Sequence, residues 1–265
     1  MQDRGVCKDG PVSTEPAVAE TPLSLLSATA ATGVAVLLAL LTPAGPVWVG
    51  IGVLLVGLVL ASGWPALSPS QWGIREVVAI GAVLIAACGI RSDAGGHPHW
   101  LALALAGSLV LAFLVQLLRP DGRSDVVGSL GSCALAFAVL ACGGLAPFAA
   151  ARPHAVPVAW TVAIGVVASV LTRSAVQRTS LDLEWAVPVA MVVGGIGGVV
   201  IAGATGLAWN RLLLIGMLAA ALAHAVRRVL LTAAVRDRLA QIAVGVAIAL
   251  SGGMIAYAAT WWLNR

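Results

Sequence analysis

The chain has 265 residues, of which 60% are hydrophobic and only 10% are charged, and its mean hydropathy is +1.01. Soluble domains are about half apolar and a quarter charged, so this composition excludes a soluble globular protein. The net charge of +4 comes from basic residues scattered between apolar runs, which is typical of membrane-protein loops rather than of a nucleic-acid surface. We expect the partners to be membrane lipids, other membrane proteins or further copies of this chain, and no nucleic acid.

Residues 1–22 are polar and contain three prolines, and they lack the pattern of a cleaved signal peptide. The order Val-Ser-Thr-Glu-Pro at 12–16 is typical of a bacterial start and predicts initiation at Val12. Fourteen of the fifteen basic residues are Arg, which together with the excess of Ala, Gly and Val indicates a GC-rich bacterial genome. We expect 1–22 to be a cytoplasmic segment and 23–265 a single transmembrane helical domain.

Nine apolar runs follow this segment and predict an all-α, polytopic transmembrane helical bundle of about nine spans. A span needs about 20 apolar residues, and most of the runs have this length. The third run is the exception, and it crosses only if Trp72, Arg75 and Glu76 lie in the membrane interface. The runs are 23–41, 46–64, 77–90, 100–118, 126–150, 155–172, 185–209, 212–231 and 239–263.

The charges between the runs support nine crossings. With nine spans, eleven basic residues lie on the side of the N-terminus and four on the other side. The positive-inside rule then predicts a protein of the bacterial cytoplasmic membrane, with its N-terminus in the cytoplasm and its C-terminus outside. The nine tryptophans lie at or near run ends, where we expect them to anchor the bundle at the lipid headgroups.

The run 185–209 carries small residues at every fourth position: Ala190, Gly194, Gly198, Ala202 and Gly206. Such spacing places the five residues on one helix face, which another helix can approach closely. We therefore predict that this run is the packing centre of the bundle.

Runs two to five and runs six to nine start about 110 residues apart, pair by pair. This spacing suggests a parallel internal repeat of four helices, with the first run as an additional helix, in a 1+4+4 arrangement.

Ionisable residues inside membranes usually mark function, and this chain has almost none. No acidic residue lies in the centre of a run, which argues against transport coupled to protons or sodium ions. His224 lies well inside a run, four residues before Arg228 and on the same helix face. The pair is a candidate ligand site or proton relay; alternatively, His224 hydrogen-bonds to a neighbour at the end of its helix.

The segment 119–125 joins the fourth and fifth runs and combines turn residues with two arginines. Arg119, Asp121 and Arg123 are candidates for binding an anionic headgroup; alternatively, they form a charged hairpin that only fixes orientation. A second basic cluster includes Arg227, Arg228, Arg236 and Arg238. We expect it to contact anionic lipid; alternatively, it forms a solvated helix end.

Residues 117–129 resemble the middle of phosphatidate cytidylyltransferases, polytopic enzymes in which an arginine–glycine–aspartate turn joins two spans. The C-terminal signature of that family, with its lysines, aspartates and His-Gly-Gly turn, is absent here, and the last hairpin offers only Arg-Asp-Arg at 236–238. The resemblance therefore implies a catalytically degenerate relative. No other enzyme motif, metal site or cofactor motif is present, and no CxxC pair occurs among the four cysteines.

These observations favour a non-enzymatic, permease-like protein that handles a small or lipidic solute. One alternative is a non-catalytic subunit or assembly factor of a membrane complex, and a second is the degenerate lipid enzyme. A permease predicts a polar cavity near the midplane, whereas a subunit predicts a solid core and an exposed small-residue face. An enzyme predicts acids and arginines gathered at the cytoplasmic surface, with Asp121, Asp125 and Asp237 as candidates. Hydroxyls available to line a cavity are Ser108, Ser132, Thr161, Ser169 and Thr205.

Overall fold

A computed structural model describes residues 25–68, 72–91, 98–119, 125–176, 185–230 and 237–265. Within these ranges the chain forms nine long α-helices, one α-helix of five residues, two short 3-10 helices and no strand, which confirms the all-α prediction. The polar segment 1–22 lies outside the described residues. The helices are α1 (Leu25–Leu41), α2 (Pro46–Gly63), α3 (Ile74–Ile90), α4 (His99–Leu117), α5 (Val126–Gly144), α6 (Ala146–Ala150), α7 (Ala155–Val176), α8 (Ala186–Thr205), α9 (Trp209–Leu230) and α10 (Arg238–Leu263).

Eight helices in the described part are long and apolar enough to cross a membrane, so this is a multi-pass membrane protein. The helix α3 is not one of them, since it has 17 residues and carries Arg75 and Glu76 in its first turn. It nevertheless runs the length of the bundle: Gly73 before it lies against Val115 near the end of α4, and Gly89 lies against Pro147 of α6. The chain thus alternates between two ends, which we call the Arg227 end and the Arg152 end.

Prolines set several helix boundaries. The fifth run was predicted as one helix over 126–150, but α5 stops at Gly144 and α6 begins at Ala146. The cause is Pro147, which has no N–H to donate and whose ring would collide with the carbonyl of Gly143 in a continuous helix. Pro157 and Pro188 are tolerated because each occupies the first turn of its helix, where the N–H has no partner within the helix.

The packing centre of the bundle is α10, and the prediction that it is the run 185–209 is wrong. The helix α10 contacts α1, α2, α5, α6, α7 and α9, whereas α8 contacts only α7 and α9 in the described part. Glycines allow these close approaches. A Cβ on Gly245 would collide with the carbonyl of Ser27 in α1, and a Cβ on Gly253 would collide with the carbonyl of Cys142 in α5.

The tryptophans follow the interface prediction with one exception. Trp64 is 1% exposed, and its indole Nε1–H donates to both the carbonyl and the hydroxyl oxygen of Ser132, each at 3.1 Å. It therefore joins the end of α2 to α5 instead of facing the headgroups. The other eight tryptophans are exposed or partly exposed near helix ends.

The internal repeat stays a prediction. In the second proposed unit α7 packs against α9, whereas the corresponding helices α2 and α4 share no comparable contact among the described residues.

Candidate functional site

Of the candidates in the turn 119–125, the structure describes Arg119 at the end of α4. Arg119 is 7% exposed, and its Nη1 donates to Oε1 of Gln116 at 3.4 Å. Gln116 is itself 1% exposed, so two polar side chains are buried one turn apart at the Arg227 end. Asp121 and Arg123 lie outside the described residues.

The candidate pair on α9, His224 and Arg228, is less buried than Arg227, which lies between them in the sequence. His224 is half-buried and Arg228 is exposed, whereas Arg227 is 1% exposed. Sequence reasoning assigned Arg227 to an exposed basic cluster. The signal that it missed is the row Gly216, Ala219, Ala223, Arg227 and Leu230, whose spacing of three and four residues defines the buried face of α9.

Four of the five small residues predicted as a packing face form one contact row on α8. Ala190, Gly194, Gly198 and Ala202 are buried, and a Cβ on Gly194 would lie 2.7 Å from the carbonyl oxygen of Gly216 in α9. Gly206 is not part of this row. It follows the last residue of α8 with a φ of +71°, a left-handed conformation that ends the helix and that glycine adopts without strain.

The hydroxyls that were expected to line a polar cavity do not converge on one. Three of these hydroxyls donate to the backbone carbonyl four residues earlier in their own helix. The bonds run from Ser108 to Ala104, from Thr161 to Pro157 and from Thr205 to Ile201. The hydroxyl of Ser132 accepts the Trp64 indole, and Ser169 is buried in α7.

A pocket of about 700 Å³ at the Arg227 end brings together Arg75, Glu76 and Asp237, with Ser62 and Trp72 beside them. Sequence reasoning had named Asp237 but not Glu76, which is distant in the chain. Asp125 does not line this pocket; its carboxylate lies against Gly128 in the first turn of α5. The three charged side chains of the pocket are exposed, so they are well solvated.

A second pocket, at the Arg152 end, has a volume of about 620 Å³. It shares Thr42, Ala150 and Ala155 with an apolar cavity of about 50 Å³ that extends between α1, α7 and α10. On α7 its lining residues extend from Ala155 to Val166. We call the volume of about 620 Å³ the Arg152 pocket and the volume of about 50 Å³ the inner cavity.

The Arg152 pocket carries a fixed cation. The Arg152 guanidinium lies 5.0 Å from the ring centroid of Tyr257, and its Nη2 donates to the Tyr257 hydroxyl at 3.5 Å. Tyr257 in turn packs edge-on against Phe148 of α6, with ring centroids 6.5 Å apart. His154 also lines the pocket, and its φ of +60° is uncommon for a residue other than glycine.

The described residues contain no group of three His, Cys, Asp or Glu side chains suited to hold a metal ion. The fold and these pockets define the class: a multi-pass, α-helical integral membrane protein with a cationic pocket at one end. No protein-family model, no curated protein and no solved structure matches this chain. The resemblance of residues 117–129 to phosphatidate cytidylyltransferases stays a prediction, and its central turn lies outside the described residues.

Proposed function

We propose that this protein is permease-like and binds or moves a small or lipidic solute through the Arg152 pocket and the inner cavity. The observation that supports this proposal is that the pocket at one end shares Thr42, Ala150 and Ala155 with the lining of an apolar cavity inside the bundle. A hydrophilic solute would need polar groups along this route, but the cavity is lined by alanine, glycine, valine and leucine, with Thr42 near its mouth. The lining favours a solute with an apolar part.

The charges support a mechanism without ion coupling through a buried carboxylate. Glu76, Asp125 and Asp237 are the acids in the described part, and all three are exposed at the Arg227 end. Solute movement would then follow its own gradient or depend on a partner. In the positive-inside orientation, the Arg152 pocket opens to the outside of a bacterial cytoplasmic membrane.

Native mass spectrometry from phosphatidylcholine nanodiscs tests the proposal. We expect wild-type protein to retain a bound lipid or small molecule after gentle release. The variant Ala159→Leu places a larger side chain in the wall of the inner cavity and should lose this mass. Ala102→Leu adds the same atoms on an exposed face of α4 and should keep it. Wild-type protein that arrives without any bound mass, or an Ala159→Leu variant that retains it, would contradict the proposal.

A second candidate function is a non-catalytic subunit or assembly factor. It is favoured by glycines on exposed helix faces, since a Cβ on Gly107 of α4 or Gly131 of α5 would meet no atom within 4 Å. Close approach of a partner helix is what such surfaces allow in membranes. The same mass spectra decide between the two functions, because a subunit should arrive with another membrane protein and without a ligand.

A further inference from the structure

The two ends of the bundle differ in the sign of their charges. Every acidic side chain in the described part lies at the Arg227 end, where arginines accompany the acids. At the Arg152 end the described ionisable side chains are basic or neutral: Arg91, Arg152, Arg211 and Arg265, His99 and His154, and Tyr257. The described part of this end carries no acid, so these arginines contribute a positive potential there, and a positive potential attracts anions.

Arg152 differs from the other three arginines because its side chain lines the pocket of about 620 Å³. Arg211 and Arg265 lie over the rings of Trp262 and Trp261, with 5.3 and 3.4 Å between guanidinium carbon and ring centroid. The bond to Tyr257 is the only side-chain hydrogen bond of Arg152 within the described part of the chain, and a guanidinium has five N–H donors. Arg152 therefore lies against Tyr257, and within the described part of the chain most of its donors remain available to a ligand.

One part of the wall around this cation is apolar, and Thr42, His154 and Thr205 supply polar groups to the rest. The same pocket is lined by Pro43, Val156, Pro157 and Leu207, and it shares three lining residues with the inner cavity. Its volume of about 620 Å³ lies within the range of about 300–1,000 Å³ that is usual for ligand sites. The inner cavity, at about 50 Å³, is a third of the ~150 Å³ that accommodates benzene, so it admits only the start of a narrow alkyl chain unless the helices separate.

We infer that the Arg152 pocket binds the anionic head of an amphiphile, a carboxylate or a phosphate, whose unbranched tail lies on the apolar wall and enters the inner cavity. This inference rests on the proposed function and names the chemical class of its solute. Arg152 donates hydrogen bonds to the head, and His154 lies at the same opening. An arginine fork suits both groups, because each presents two oxygens to paired N–H donors.

The experiment uses full-length protein in phosphatidylcholine nanodiscs and four probes: dodecanoate, dodecyl phosphate, dodecanol and inorganic phosphate. Occupancy is measured by native mass spectrometry during titration at neutral pH. We expect wild-type protein to bind the two anionic amphiphiles about tenfold more tightly than dodecanol. Arg152→Gln should bind dodecanoate, dodecyl phosphate and dodecanol with similar affinity. Arg152→Lys should keep part of the preference for the two anionic amphiphiles. Arg211→Gln, which removes a cation at the same end but outside the pocket, should behave as wild type.

The outcomes separate this inference from the proposed function. If dodecanol binds wild-type protein as tightly as dodecanoate, the anionic head is excluded while solute binding stands. If no amphiphile binds, this inference fails, and the proposed function fails with it only if wild-type protein also arrives without any bound mass. If inorganic phosphate displaces dodecanoate at equal concentration, the ligand is a free anion and the amphiphile is excluded. Should Arg152→Gln fail to fold, the preference of wild-type protein between dodecanoate and dodecanol decides.

Discussion

The helices α8 and α10 have similar compositions but occupy opposite positions in the bundle. Both are rich in Gly, Ala and Val, yet α8 buries one row of residues spaced by about four, whereas α10 buries every residue of the stretch 243–253. The outward valines and Ile196 of α8 are exposed on the surface of the bundle. The difference teaches that the spacing of small residues identifies one contact face, whereas small residues on all sides identify a surrounded helix.

The largest effect expected from this comparison follows from Gly253→Leu in α10. Its side chain would have to displace α5, because even a Cβ collides with the carbonyl of Cys142. We expect a loss of about 3 kcal/mol or more in the free energy of unfolding, and little folded protein. The measurement is unfolding in mixed micelles followed by circular dichroism. Gly203→Leu on α8, where a Cβ meets no atom within 4 Å, is the matched control and should remain folded.

A smaller and local effect is expected from Gly216→Val in α9, which separates α8 from α9 at the carbonyl of Gly194. Overpacking of this kind costs about 1–3 kcal/mol. Because α8 packs against α7 and α9 among the described helices, hydrogen exchange should increase in α8 and α9 while α10 stays protected. Uniformly faster exchange, α10 included, would mean that α8 is as central as α10.

The smallest effect is expected from one change made at two positions. Val246→Ala in α10 removes two buried methyl groups, and we expect a loss of about 1 kcal/mol. Val200→Ala in α8 removes the same atoms from a side chain that is 65% exposed, and the change should stay within about 0.5 kcal/mol. Equal losses in unfolding titrations of the two variants would contradict the assignment of inner and outer helices.

The helices themselves were predictable because the thickness of the hydrocarbon core fixes the length of each apolar run. Predicted and observed boundaries differ by no more than four residues, apart from the break before Pro147. The central helix was not predictable in the same way. Lipid and protein interior are both apolar, so hydropathy does not tell which face of α8 or α10 is turned inward.

The candidate site was predicted less well than the fold, for a related reason. Arg152 and Tyr257 are separated by 105 positions, and only the packing of α6 and α7 beside α10 brings them together. Local spacing instead pointed to His224 and Arg228, which are neighbours on one helix. The burial of Arg227 was readable from the small residues one and two turns before it, since they mark the face that packs.

The burial of Trp64 gives the protein an internal optical reporter. Eight of its nine tryptophans, all within the described part, are accessible to some degree and should be quenched by brominated or spin-labelled lipids. Emission that survives such quenching comes mainly from Trp64, whose indole N–H is bonded to Ser132. The residual spectrum therefore reports on the junction of α2 and α5 without any added label, and it should shift when that junction opens.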